Sequence, residues 1–246
     1  MFVAFFHSFI YLPIYNALAF LVSWMPAGDV GLAIVLLTVL VKVALFPLGV
    51  KASHTQIVLR SLEPQLRVLR EAHKNAPQEL AMKTLALYRE HKVNPFASFF
   101  IILLQLPIIF GLYWVIWADS KTGVFDTALL YPFVVEPQVS SFVFLNIVPL
   151  NEPSVVLAVL VAGTQYWLSR LMMPAAPEKT GKAFQDDLMA SMHIQMRYVF
   201  PILLGGIAYI ASAAIALYFL TSNIFGILQE VVAKRRHAET HGHSTH

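Results

Sequence analysis

The chain has 246 residues, of which 58% are apolar and only 13% are charged, and its formal net charge is +3. This composition is typical of a polytopic membrane protein and excludes an ordinary soluble domain. The sequence contains no cysteine, which excludes disulfide frameworks, thiolate catalysis and cysteine-ligated zinc.

Residues 1–30 are largely apolar and contain no lysine or arginine. A secretory signal peptide begins with a positively charged segment, so we do not predict one here. His7, Pro13 and Asn16 interrupt the apolar stretch. We therefore predict an external amphipathic helix that lies along the membrane interface, in preference to an additional span.

The first predicted span, residues 31–50, carries Lys42 near its middle. A helix of this length crosses the hydrocarbon core, which is about 30 Å thick. A charge at that depth costs roughly 2.5–3.5 kcal/mol on insertion scales. The alternative, a lysine that snorkels to the interface, fits poorly because Lys42 is far from either end of the span. Lys42 is therefore the first candidate site residue.

Residues 51–95 are basic, but their apolar residues keep a helical spacing. The segment Asn75–Pro77 predicts a turn, with proline suited to the first position of the next helix. Asn94 and Pro95 predict the end of that second helix. We therefore predict a helical hairpin between the first and second spans.

Four further apolar stretches predict spans, and the segments between spans alternate in charge. The predicted spans are 96–117, 152–172, 194–210 and 212–232, and the remaining segments are 118–151, 173–193 and the tail 233–246. Segment 118–151 is acidic, whereas the hairpin and the tail are basic. By the positive-inside rule the basic segments are cytoplasmic. The sequence thus predicts an all-α membrane protein with five transmembrane helices, its N-terminus outside and its C-terminus in the cytoplasm.

Polar side chains recur within the predicted spans. Thr38 lies one helical turn from Lys42, and Gln105, Gln165 and Asn223 each lie on a different span. A buried amide needs hydrogen-bond partners, so each residue alone is explained by contacts between helices. Their occurrence on separate spans, together with a lysine, favours a hydrated intramembrane cavity.

The sequence contains no recognisable catalytic constellation. Its histidines are scattered, no carboxylate lies in the middle of a predicted span, and nothing resembles a phosphate-binding glycine loop. The histidine-rich tail could bind a metal loosely, but a disordered tail is the preferred interpretation. We therefore predict that the protein is not an enzyme and holds no cofactor and no metal.

Several segments match, in order and spacing, the elements of a known family. The hairpin exit and the second span read AMKTLALYREHKVNPF and LLQLPIIFGLYWVI, and the first span reads IVLLTVLVKVALFPL. The last two spans read MRYVFPI and ALYFLTSNIFGILQE, and the N-terminal helix reads FIYLPIYNALAFLV. Together these segments resemble the YidC/Oxa/Alb family of membrane protein insertases.

The resemblance implies a fold of five core helices around a hydrophilic groove that is open to the cytoplasm and to lipid but closed outside. The family carries its groove charge on the first core span, usually as arginine, at the position of Lys42. Phe219 stands where the family usually has a polar aromatic residue, and it should form part of the groove wall.

The implied function is that of an insertase and chaperone in a prokaryotic plasma membrane. Its implied partners are nascent or newly made membrane proteins and the lipid bilayer, with the ribosome and a Sec-type translocon as further candidates. We expect the chain to act as a monomer.

Two other function classes stay open at this point. A small anion transporter or channel would use Lys42 as its anion site, but it predicts inverted repeats and paired broken helices, which we do not find in the sequence. A membrane-embedded lipid enzyme predicts a His/Asp or Ser/His pair at interface depth, and only His54 lies near that depth.

Overall fold

The computed structural model describes residues 2–74, 76–94, 105–116, 125–137, 142–172, 191 and 194–242. Within these residues, four helices are long and apolar enough to cross a membrane, namely Ala4–Trp24, Val30–Leu59, Val155–Met172 and Ala213–Arg235. Two shorter apolar helices are Gln105–Ile116 and Gln195–Ala211. The prediction of an all-α membrane protein is confirmed.

Some predicted elements lie partly outside the described residues. The second span, predicted over 96–117, is described from Gln105 to Ile116, and the segment 173–193 is described only at Ser191. The predicted domain boundaries and the count of five spans therefore stay predictions.

The N-terminal region is one continuous helical stretch with a local change of pitch. It consists of α1 (Phe2–Phe6), a π-helical turn (His7–Tyr11) and α2 (Leu12–Trp24). At the end of the π turn the N–H of Leu12 donates to the carbonyl of His7, five residues back. The wider turn accommodates Pro13, which has no N–H to donate. Since this stretch is also long enough to span a membrane, its interfacial placement stays a prediction.

Helix α3 runs from Val30 to Ser61 and is much longer than the span predicted within it. Asp29 begins it as an N-cap, because Oδ1 of Asp29 accepts a hydrogen bond of 2.9 Å from the N–H of Leu32. The helix continues past residue 50 because its apolar residues keep the helical spacing. It ends where a proline opens the next helix. Residues 51–61, at the start of the predicted hairpin segment, therefore form the last part of α3.

The chain divides into two compact units. The first comprises Met1–Ala44 and Gln105–Leu228, and the second comprises Leu45–Leu104 and Gln229–His246.

The second unit contains the end of α3, two short helices and the end of the last helix. The short helices are α4 (Glu63–Ala72) and α5 (Pro77–Glu90). One contact crosses the turn between them, since Oε1 of Glu79 on α5 lies 3.3 Å from Nε2 of His73. Within α5, the same oxygen pairs with Nζ of Lys83 at 3.0 Å. Within α4 and α5, only Leu66 is fully buried. Little apolar contact therefore holds this helical pair.

We expect amide hydrogens across residues 60–90 to exchange much faster than those of the long apolar helices. Local opening costs little free energy where few apolar side chains are buried. Hydrogen exchange followed by mass spectrometry measures the difference, with α3 before residue 45 as the internal reference. Strong protection throughout 60–90 would instead identify a rigid domain.

Besides two 3₁₀ turns (Pro26–Gly28 and Thr127–Leu129), the first unit contains further α-helices, a second π-helical turn and one short β-hairpin. These are α6 (Gln105–Ile116), β1 (Val143–Phe144), β2 (Val148–Pro149), α7 (Val155–Met172), a π-helical turn (Gln195–Val199), α8 (Phe200–Ala211) and α9 (Ala213–Gly242). The two strands are antiparallel, with Val143 opposite Pro149. Helix α9 continues into the second unit beyond Leu228.

Contacts along α7 fix the directions of the last two helices. The rings of Tyr166 and Tyr198 are 5.8 Å apart, and a side chain at Gly205 would meet Ala162, so α8 is antiparallel to α7. At the start of α9, the N–H of Ala213 donates to the carbonyl of Glu152, just before α7. Asn223 on α9 reaches Val161 on α7, so α9 is parallel to α7. The chain therefore reverses direction at Ser212.

Asn16 ties α2 to a loop far away in the sequence. Its Nδ2 donates to the carbonyl of Leu129 at 3.0 Å, and its Oδ1 accepts from the N–H of Tyr131 at 2.6 Å. The hydroxyl of neighbouring Tyr15 accepts a hydrogen bond of 2.5 Å from the N–H of Asp126. Asn16 is only 3% exposed, and Nδ2 also donates to the carbonyl of Leu12 in its own helix at 2.9 Å. The amide that interrupts the apolar N-terminal stretch therefore tethers the loop through both its oxygen and its nitrogen.

Candidate functional site

Lys42 and Gln105 form a hydrogen-bonded pair between two apolar helices. Lys42 is partly buried on α3, and its Nζ donates to Oε1 of Gln105 on α6 at 3.2 Å. Among the described residues, no carboxylate lies within 4.0 Å of this ammonium group. A neutral amide orients the charge without cancelling it. The site therefore keeps one uncompensated positive charge in apolar surroundings.

Thr38 lies one turn before Lys42 and is only 3% exposed. Its hydroxyl donates to the carbonyl of Ile34 at 2.7 Å, within α3 itself. The hydroxyl therefore has a partner without water. Its oxygen still keeps accepting capacity towards a neighbouring donor.

Asn223 joins α9 to α7. Its Nδ2 lies 3.2 Å from Oγ1 of Thr164 and 3.4 Å from the carbonyl of Val161, and the residue is 5% exposed. Oγ1 of Thr164 in turn donates to the carbonyl of Leu160 at 2.7 Å. The Nδ2 group of Asn223 is therefore satisfied by protein, and Thr164 is a partner that lay outside the predicted set of site residues.

Gln165 and Phe219 lie elsewhere in the first unit and are both partly buried. Nε2 of Gln165 donates to Oγ of Ser169, one turn along α7, at 3.4 Å. The ring of Phe219 lies 5.6 Å from that of Tyr218 and packs against the buried core of the unit. The structure thus joins Lys42 with Gln105 and Asn223 with Thr164, and it gives Gln165 a partner within its own helix.

Tyr218 is a polar residue that the sequence analysis did not select for the site. It is 2% exposed, and its hydroxyl has no hydrogen-bond partner among the described residues. A buried hydroxyl without a partner is costly, so such groups usually meet water or a ligand. Its neighbours in the sequence are apolar, and an aromatic residue in such a run is usually interpreted as packing.

No group of three or more His, Asp or Glu side chains in the described part of the chain is arranged to hold a metal ion. The polar groups of the site are one ammonium, amides and hydroxyls. These groups bind and orient other polar groups by charge and hydrogen bonds.

Comparison with known proteins decides the family. The family described as 60Kd inner membrane protein matches residues 20–240 of this chain. The chain belongs to this family. The resemblance found in the sequence is therefore confirmed, since the family is that of the YidC and Oxa insertases.

Individual relatives cover most of this member of the 60Kd inner membrane protein family. A protein of Fusobacterium nucleatum named membrane protein insertase YidC is 30% identical over 233 residues, which are 94% of this chain and 100% of the relative. A protein of Clostridium tetani with the same name is 30% identical over 210 residues, or 85% of this chain and 84% of the relative. A longer relative of that name, from Francisella philomiragia, is 29% identical over 215 residues, or 34% of its length.

The family and the four long apolar helices identify the chain as a multi-pass inner-membrane protein. In this setting Lys42 requires a functional explanation, because a charge is costly within a membrane-spanning helix.

Proposed function

We propose that this chain is a membrane protein insertase. It accepts short polar segments of newly made membrane proteins and releases their transmembrane helices into lipid. The observation that carries the proposal is the Lys42–Gln105 pair between apolar helices, in a chain whose relatives are named insertases. No covalent bond is made or broken, so the proposed activity needs neither a cofactor nor a metal.

The proposed binding site is a hydrated groove within the membrane. Its proposed lining residues are Lys42, Thr38, Gln105, Gln165 and Asn223, with Phe219 in the wall. Water in such a groove lowers the cost of bringing a polar segment into the bilayer. The client's apolar helix then leaves sideways into lipid, driven by burial worth about 25 cal/mol per Å².

Lys42 and Gln105 have separate roles in this mechanism. In the free protein, the carbonyl of the Gln105 side chain accepts a hydrogen bond from Lys42 and keeps the ammonium pointed between α3 and α6. An acidic residue of a client offers a carboxylate, which forms a stronger, charge-assisted hydrogen bond than a neutral amide does. The free energy therefore falls when Lys42 releases Gln105 and binds the client's carboxylate instead. The new pair is reversible because water in the groove weakens the attraction between the two charges.

Contacts on one side of the first unit support a groove that is closed there. Asn16 and Tyr15 hold the loop that contains Leu129 against α2. The N–H groups of Ala213 and Ala214 donate to the carbonyls of Glu152 and Leu150. These bonds satisfy polar groups that would otherwise attract water. We propose that this side faces outward and that the basic hairpin and tail are cytoplasmic.

Cysteine accessibility tests the groove in this naturally cysteine-free chain. We expect Lys42→Cys, Gln105→Cys, Gln165→Cys and Asn223→Cys to react with a membrane-impermeant thiol reagent from the cytoplasmic side and not from outside. The matched control is Val43→Cys, which replaces an exposed apolar side chain of α3 next to Lys42 and should not react.

Two results would contradict the proposed groove. If the cysteines at 105 and 165 react from neither side, those glutamines are ordinary helix contacts. If any position reacts from outside, a channel or transporter becomes the better explanation.

Reconstitution of the purified chain into liposomes tests the function itself. We expect insertion of a small membrane protein, without the ribosome or a Sec-type translocon, at one copy per vesicle. Ion flux without insertion would favour an anion channel, and lipid turnover would favour a lipid enzyme. Ribosome and translocon are proposed as auxiliary partners, so their addition should extend the range of clients.

A further inference from the structure

Two arginines and two tyrosines lie together at one end of α7 and α8, away from Lys42 in the sequence. The ring centroids of Tyr166 on α7 and Tyr198 in the π-helical turn before α8 are 5.8 Å apart. Cζ of Arg197 lies 6.0 Å from the Tyr198 ring, and Arg170 is one turn beyond Tyr166. We refer to these four residues as the arginine–tyrosine cluster.

The cluster has positive charge that the described residues leave unpaired. Nε of Arg197 is buried and has no hydrogen-bond partner among the described residues. In the described ranges no carboxylate lies within 4.0 Å of either guanidinium group. A buried N–H of a charged group is costly unless it meets an acceptor. Nε of Arg197 therefore needs an acceptor that the described residues do not supply, and the unpaired positive charge favours an anionic one.

The surroundings of the cluster indicate where this acceptor comes from. Trp167, Met196 and Val199 flank it, and these large apolar side chains are 62%, 54% and 50% exposed. In a membrane protein such side chains face lipid tails. Tyrosine and arginine at the end of a membrane helix are typical of the headgroup level, where one end of the side chain is apolar and the other is polar.

We propose that the arginine–tyrosine cluster binds the phosphate of an anionic phospholipid headgroup. The planar guanidinium group of Arg197 can donate two parallel hydrogen bonds to a phosphodiester, and Arg170 adds a second positive charge. Basic pockets between transmembrane helices are known to fit anionic headgroups. A headgroup is favoured over a soluble anion because its acyl chains would cover the exposed Trp167 and Val199. None of the four cluster residues belongs to the proposed groove lining.

Quenching of Trp167 by brominated lipids tests the proposal in the full chain. Trp24, Trp114 and Trp117 are changed to phenylalanine, and the protein is placed in vesicles of phosphatidylcholine and phosphatidylglycerol. Either lipid, at the same mole fraction, carries bromine near the headgroup end of its acyl chains. We expect brominated phosphatidylglycerol to be enriched around Trp167 by roughly fivefold, the effect of about one arginine beside an anionic lipid.

Variants distinguish a specific phosphate site from a general attraction between a basic protein and anionic lipid. Arg197→Gln combined with Arg170→Gln should make the two lipids quench equally. Arg197→Lys keeps the charge, loses the planar fork and should give an intermediate preference. Arg89→Gln, a basic residue of α5 in the second unit, is the matched control and should leave the preference unchanged.

Three outcomes would overturn the proposal. The first is equal quenching by both lipids in the parent protein. The second is a preference that survives loss of both arginines. The third is loss of the preference on addition of inorganic phosphate, since that identifies a soluble anion as the ligand. None of these readouts depends on insertase activity, so they test the cluster independently of the proposed function.

Discussion

Replacing Lys42 by alanine is expected to lower the insertion of clients with acidic translocated segments by about tenfold, which corresponds to ~1.4 kcal/mol. This is a fraction of the ~4 kcal/mol available to two charges 4 Å apart at an effective dielectric constant of about 20. The expected effect is smaller than this Coulomb energy because water in the groove competes for both charges. The measurement is protection of the translocated segment from protease in vesicles that contain the purified variant.

Related variants distinguish attraction by charge from general damage to the fold. Lys42→Glu should impair acidic clients more than alanine does, because it repels them. Lys42→Arg should retain insertion, since it keeps the charge and gains a planar fork. Clients whose translocated acidic residues are neutralised should respond little to any change at Lys42. Lys51→Ala, at an exposed position of the same helix, is the matched control. Normal insertion of acidic clients by Lys42→Ala would contradict the charged-groove mechanism.

Replacing Asn16 by leucine is expected to give one of the larger losses of stability in this chain. The change removes the acceptor of the Tyr131 N–H and the donor to the Leu129 carbonyl. Each buried polar group left without a partner costs about 1–3 kcal/mol. The expected loss of roughly 2–5 kcal/mol lowers the midpoint of thermal unfolding by about 5–15 °C for a chain of this size. The measurement is thermal unfolding in detergent.

A second readout locates the damage caused by Asn16→Leu. If the loop around Leu129 is released from α2, protease should cleave it faster while α7 and α9 stay intact. Ser23→Ala is the matched control on α2, because the exposed Ser23 hydroxyl donates only to the carbonyl of Phe20 in its own helix. An unfolding midpoint equal to that of the control would mean that Asn16 is not a stabilising tether.

The sequence predicted the depth of Lys42 but not the residue that pairs with it. Depth follows from the position of a charge within an apolar run, which is a local property. The partner depends on how α3 and α6 are rotated about their axes, and that is decided by packing over the whole unit. Gln105 was among the predicted site residues because an amide within an apolar span needs hydrogen-bond partners. Its direct contact with Lys42 required the three-dimensional structure.

Asn16 and Tyr218 show that the local sequence pattern carries no information about hydrogen-bond partners that are distant in the sequence. Asn16 was interpreted only as an interruption of an apolar stretch, because its partners Leu129 and Tyr131 are 113 and 115 residues away. Tyr218 was not among the predicted site residues, since nothing in its sequence neighbourhood indicates that its hydroxyl lacks a partner among the described residues. The predicted boundary of the first span at residue 50 follows the rise in polarity, whereas helix α3 itself runs further. The helical spacing continues to Ser61.

The junction at the start of α9 is built from main-chain atoms, and this has an evolutionary consequence. The carbonyl of Glu152 accepts from the N–H of Ala213 and the carbonyl of Leu150 accepts from the N–H of Ala214, and every amino acid supplies a carbonyl. These two bonds therefore do not depend on which side chain stands at 150 or 152, although packing still constrains Leu150, which is buried in the core. This is one way for a fold to persist between chains that share only 30% of their residues. The substitution that selection must remove is proline at 213 or 214, which has no N–H to offer.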